Sequence, residues 1–281
     1  MVADGAMGTM LFDRGLGPGT CPESITLSHP ETLQQIAQLY LEAGAEIVTT
    51  NTFGASPARL STYGLADKTE VLNEVAVRVV REVVGDRGYV AGSCGPSGKL
   101  LEPYGDATPD ELYQGFHRQM RSLVAAGVDC VFVETMTDLT EAKLAVQAAK
   151  DIAPQIPVAA CMTFDPTPKG YYSVMGVSVA AAAAGLAAAG VDAIGSNCGN
   201  GSENMIEIAK EFKAATDLPL IIQPNAGMPQ TEDGKVVYGE TPDYMADVLG
   251  QIVTLQVAII GGCCGTTPKH ISAIRTMLDE A

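Results

Sequence analysis

The segment LEAGAEIVTTNTFG at 41–54 decides the fold. It runs from small residues that close a helix, through a Gly, into a short apolar run that ends in polar side chains. Two further segments repeat the order, VAAGVDCVFVETMTD at 124–138 and LAAAGVDAIGSNCGNG at 186–201. Each reads as a helix, a Gly at the C′ position, and a buried parallel strand whose C-terminal end carries the polar groups.

Outward from these segments, the same pattern predicts strands near 2–5, 45–50, 88–93, 129–134, 157–163, 191–196, 218–223 and 257–261. Helices are predicted near 31–43, 68–84, 110–126, 138–150, 178–189, 202–215, 241–254 and 268–280. Pro behind a polar cap marks four of their starts: Ser28 or His29 before Pro30, Thr108 before Pro109, Thr241 before Pro242 and Thr267 before Pro268. Strict strand–helix alternation means a parallel sheet, and eight such units suit closure into a barrel. The expected fold is therefore α/β, a (β/α)8 TIM barrel forming one domain over 1–281. An open doubly wound sheet is the alternative, but its GxGxxG turn after the first strand is not convincingly present.

The formal charge of −16 argues against nucleic acid or an anionic membrane surface as the main partner, because both require a basic footprint. The acidic excess serves solubility or forms a face that docks a partner. No uncharged apolar run reaches 18 residues and the N-terminus lacks a basic-then-apolar layout, so neither a membrane span nor a signal peptide is expected. The Ala-rich stretch at 177–190 reads as a packed helix. Seven Cys at irregular spacing argue against a disulfide framework and for a reducing, cytoplasmic location.

In a barrel the functional groups gather at the C-terminal strand ends. Three of the seven cysteines end the sixth and eighth strands, Cys198 after the sixth and Cys263–Cys264 after the eighth, and Cys94 ends the third. The glycines of GGCCG let two adjacent side chains address one ion, which the alternating faces of an ordinary strand forbid. Three soft sulfur donors suit Zn2+, and three cysteines with no fourth thiol or His nearby imply an open coordination position. His29, His117 and His270 fall elsewhere, Cys94 is ambiguous, and Cys21, Cys130 and Cys161 read as structural. Asn225, in a Pro-Asn-Ala-Gly turn, is either a plain turn residue or a donor that fills the fourth position when substrate is absent.

A zinc already carrying three thiolates is poorly suited to activating water. It suits a further soft ligand, whose thiol loses its proton near neutral pH yet stays nucleophilic. Asp4 and Glu134 end the first and fourth strands at the same rim and suit an ammonium, while the turn Gly5-Ala6-Met7-Gly8-Thr9 offers backbone N–H groups to a carboxylate. Asn51, at the end of the second strand, is a further substrate-binding candidate. Together these groups describe a site for a thiol amino acid.

Seven stretches resemble the homocysteine S-methyltransferase family: DGAMGTML (4–11), HPETLQQIAQLYLEAGAEIVTTNTFGA (29–55), CGPSG (94–98), FVETMTDLTEAKLA (132–145), GSNCGNG (195–201), QPNAGMP (223–229) and GGCCGTTPKHI (261–271). They run in order along almost the whole chain. The resemblance implies a (β/α)8 barrel, zinc on Cys198, Cys263 and Cys264, homocysteine thiolate as fourth ligand, Asp4 and Glu134 at the amino group, and the amides near Gly5 and Ala6 at the carboxylate. It also implies direct displacement, sulfur attacking an activated methyl group.

Within the family the motifs, with MTFDPTPKGYYSVMG at 162–176, are most similar to the homocysteine-binding module of cobalamin-dependent methionine synthase. That similarity implies a methylcobamide donor. Betaine, a sulfonium such as S-methylmethionine, or a zinc-binding or corrinoid-docking role without turnover are the alternatives. Since the chain runs only ten residues past the last motif, the expectation is a short protein whose methyl group comes from a separate corrinoid protein, or else an excised module; the abrupt start suggests that part of the first strand is trimmed.

Overall fold

A computed structural model describes residues 1–17, 19–232 and 235–280. Seven parallel strands form one sheet, paired in chain order: β1 (Ile47–Thr49), β2 (Tyr89–Cys94), β3 (Cys130–Met136), β4 (Val158–Met162), β5 (Ala193–Asn197), β6 (Leu220–Gln223) and β7 (Ile259–Ile260). Each follows a helix: α1 (Pro30–Glu42), α2 (Thr69–Val84), α3 (Pro109–Ala126), α4 (Leu139–Ile152), α5 (Val179–Ala188), α6 (Ser202–Ala215) and α7 (Pro242–Leu249), with α8 (Pro268–Asp279) last. Gly44, Gly127 and Gly190 close α1, α3 and α5 with φ of 96°, 91° and 83°, left-handed values that stop a helix at little cost only for glycine.

The strand expected at 2–5 is reduced to two single parallel bridges, Val2 to Ile260 and Ala3 to Ile47. The turn that begins at Gly5 leaves it no room to lengthen. Those bridges nevertheless join one short segment to both outer strands, so the sheet is curled. The helix expected over 241–254 is interrupted at Gly250, and a shorter helix, Gln251–Leu255, follows it. Two antiparallel hairpins had no counterpart in the sequence reading, Asp165–Thr167 with Gly170–Tyr172 and Pro229–Glu232 with Lys235–Tyr238. Thr108 and Thr241 accept the N3 amides of their helices as expected, and Thr267 forms a reciprocal box with His270. His29 precedes Pro30 without a side-chain cap bond.

The acidic residue two positions after each repeated Gly has a shared task. Glu46, Asp129 and Asp192 each accept a hydrogen bond from the backbone N–H of Val2, Val90 and Val158, at 2.9, 2.7 and 2.7 Å. Each acid's own amide donates back to the carbonyl of the same valine. A cation completes each pair: Arg275 on α8, Arg81 on α2 and Lys150 on α4. The triplet with Val2 has its cation on the last helix, so the two ends of the chain are fastened by the same device that fastens interior strands.

Strand side chains divide by alternation into two buried sets. Val48, Val90, Val131, Val133, Val158, Ile194 and Ile222 pack outward against the helices. Ala3, Ile47, Ala91, Phe132, Ala159, Cys161, Ala193 and Ile221 form a separate inner cluster. This inner cluster is the floor on which the next inward side chains, Ser93, Glu134, Asn197 and Gln223, stand. Asp129→Ala removes both the acceptor for Val90 N–H and the partner of Arg81; chemical denaturation is expected to show a loss of about 1–2 kcal/mol with an unchanged m-value.

Candidate functional site

All seven parallel strands point their C-terminal ends at one face, where a cavity of about 240 Å³ opens. Asp4, Gly5, Ala6, Asn51, Glu134, Cys198, Cys263 and Cys264 all line it. Asn225 is buried nearby, on a loop laced to the cysteine pair: Cys263 N–H donates to Pro224 O and Ala226 N–H to Cys264 O. Cys94 is fully buried against Gln119 and does not line the cavity.

The Sγ atoms of Cys198, Cys263 and Cys264 lie within 4.8 Å of one another, with Cys198 and Cys264 3.8 Å apart. A tetrahedral zinc with Zn–S bonds of about 2.3 Å requires sulfur pairs about 3.8 Å apart. The donor set therefore fits the ion. Cys198 reaches the cluster with φ of 60°, a left-handed conformation that costs a non-glycine residue about 1–2 kcal/mol. At Gly262 a Cβ would stand 2.4 Å from Thr266 Oγ1, so this turn closes only around glycine.

In the metal-free cluster, hydrogen bonds from Cys198 and Cys263 hold the Cys264 thiol well below its ordinary range. Cys263 is pushed up by its bonds to Cys198 and Cys264 and by burial. One sulfur thus carries the charge and the others share it, as expected for three acids that cannot all ionise at such distances. The hairpin residue Tyr238 packs its ring over Gly265, beside the cysteine pair. Nothing in the local pattern of the sequence singled it out.

Asp4 accepts Thr49 N–H at 2.8 Å and Thr49 Oγ1 at 3.0 Å. Glu134 accepts Ser93 Oγ at 2.5 Å and Asn197 Nδ2 at 3.2 Å. Burial pushes both carboxyls up to about 7; the Thr49 and Ser93 bonds oppose this, while Glu134 raises Asp4 and Cys264 raises Glu134. Asn197 was read only as a strand end, yet its amide also bonds both Thr135 N–H and Thr135 Oγ1 and lies 3.8 Å from Cys263 Sγ. One buried amide therefore joins the carboxylate wall to the sulfur cluster.

Two expected groups are engaged within the protein. Ala6 N–H donates to Thr266 Oγ1 at 3.1 Å, whereas Gly5 N–H has no acceptor among the described residues. Asn51 Nδ2 donates to Pro22 O and Thr26 Oγ1, which fixes the cavity wall. Glu23, not anticipated, also lines the cavity and accepts Gly54 N–H and Cys21 Sγ.

A sulfur cluster thus stands beside two buried carboxylates at the C-terminal face of a curled parallel sheet. Two proteins called methionine synthase, from Mycobacterium leprae and Mycobacterium tuberculosis, are 34% and 33% identical to this protein over 98% of its chain. The chain spans about a quarter of their length, 24%. Among solved structures, the homocysteine methyltransferase MmuM from Escherichia coli superposes with TM-scores of 0.81 in its metallated form and 0.80 in its oxidized form, at 24% and 25% identity, covering 98% of this chain and 95% of that one. The homocysteine S-methyltransferase profile matches residues 1–278, and the chain belongs to that family.

A carboxyl held near 7 when folded, against roughly 4 in the unfolded chain, binds its proton more tightly in the native state. Ionising it between those values lowers stability, so the cost is complete above about 7 and absent below about 4. Glu134→Gln is expected to raise the stability of metal-free protein at pH 8 by roughly 1–3 kcal/mol, a gain that shrinks toward pH 5 in denaturant titrations.

Proposed function

We propose that the protein is a zinc-dependent homocysteine S-methyltransferase that forms methionine, with its methyl group supplied from a methylcobamide on a separate corrinoid protein. The observation that carries this reading is the 3.8 Å sulfur spacing within one cavity that also holds two buried carboxylates. In this reading residues 1–281 act as one domain, with Val2–Asp4 serving as the eighth strand of a (β/α)8 barrel.

Cys198, Cys263 and Cys264 hold the zinc. When bound, the ion supplies a soft Lewis acid that keeps a substrate thiol deprotonated near neutral pH without removing its nucleophilicity. Asn225 Oδ1, buried without a hydrogen-bond partner, is the group suited to the remaining position before substrate arrives. Asp4 and Glu134 receive the α-ammonium, whose charge favours their ionised forms and offsets the cost of burying them. Gly5 N–H faces the α-carboxylate, with Ala6 and Asn51 shaping the turn and wall. Held at both ends, the substrate presents sulfur in one direction; the S–C bond forms as the methyl carbon leaves its donor with the bonding pair remaining on the donor. Positioning supplies most of the acceleration.

The resemblance of the motifs to the homocysteine-binding module of cobalamin-dependent methionine synthase supports the corrinoid donor. Exposed Phe53, Leu100, Tyr104, Val174 and Met228 stand on loops after β1, β2, β4 and β6, an apolar rim suited to a docking protein. No helix among the described residues is long and apolar enough to cross a membrane, and we place the protein in the reducing cytoplasm, where its free cysteines remain available to metal. Zinc-loaded protein is expected to make methionine from homocysteine and methylcobalamin in preference to S-methylmethionine or betaine. The opposite preference would move the donor assignment. Cys263→Ala is expected to lose zinc by elemental analysis and to lower turnover at least about 1,000-fold, while far-UV circular dichroism stays unchanged because the core packs separately from the loops.

A further inference from the structure

Gln223 ends β6 in register with Asn197 of β5, and it lines the same cavity as the three cysteines and the two carboxylates. It is 3% exposed, and its Oε1 has no hydrogen-bond partner in the protein. A buried amide oxygen left in that state costs free energy unless a ligand completes it. The carboxylates of the cavity, by contrast, are each engaged within the protein: Asp4 by Thr49, Glu134 by Ser93 and Asn197, and Glu23 by Gly54 and Cys21.

An ammonium group has three N–H donors, and each one left unpaired in a desolvated cavity weakens binding. Asp4 and Glu134 answer two. A third acceptor must be neutral if the site is not to gather a further repelling charge, and an amide oxygen meets that condition. We propose that Gln223 Oε1 accepts the third N–H of the substrate's α-ammonium, making Gln223 a residue that selects amino-acid thiols over thiols lacking the amino group. This assignment rests on the reading of the substrate as homocysteine.

The test compares homocysteine with 4-sulfanylbutanoate, the same molecule without its amino group, by calorimetric titration of zinc-loaded protein, with zinc content measured for every variant. Gln223→Met keeps the volume and removes the amide. It is expected to bind homocysteine about 10- to 100-fold more weakly and 4-sulfanylbutanoate unchanged. Equal losses for both ligands, or no loss for either, would overturn the assignment. Failure of the wild-type protein to bind homocysteine would overturn the functional reading itself, whereas wild-type binding that Gln223→Met retains overturns only the role of Gln223.

Discussion

Three sulfur atoms within 4.8 Å of one another form the constraint on which the upper half of this molecule depends. As thiolates they repel, and as thiols they must share protons, so the bare cluster settles with its charge on Cys264. Holding them together requires backbone that ordinary residues avoid. Cys198 adopts a left-handed conformation, Gly262 closes against Thr266, and the 224–226 loop is hydrogen-bonded to the cysteine pair. Such strain persists only where the surrounding structure over-determines it, and here a cation that neutralises the sulfurs would release the electrostatic part.

The carboxylate side of the cavity has the complementary problem. Asp4 and Glu134 are desolvated, with Glu134 raising Asp4 and Cys264 raising Glu134, so each is reluctant to ionise until a cation arrives. Asn197 links this wall to the sulfurs through Glu134, Thr135 and Cys263. A substrate with a thiol at one end and an ammonium at the other would relieve both halves at once. Binding of such a ligand and native-state stability would thus be governed by the same buried charges.

Much of this was legible in the sequence. The helix–Gly–strand order fixed Gly44, Gly127 and Gly190 as helix stops, because left-handed backbone is a local property of glycine, and the strand ends then gathered the three cysteines, Asp4 and Glu134. What escaped was non-local. The first strand survives only as bridges because its neighbours, rather than its own four residues, define it. The engagement of Ala6 N–H by Thr266 joins residues 260 positions apart, and the roles of Asn197 and Gln223 follow from which amides find partners across loops. The hairpin that brings Tyr238 over Gly265 lies in a connection whose polar pattern resembled a plain loop.

In the proposed function this cluster holds zinc with three protein sulfurs and leaves one position for the substrate's sulfur. X-ray absorption at the zinc edge of the loaded protein, before and after addition of homocysteine, measures this directly. Three sulfurs with one oxygen or nitrogen neighbour are expected at first, and four sulfurs at about 2.3 Å after homocysteine is added. A first shell that already contains four sulfurs, or one that homocysteine leaves unchanged, would contradict it.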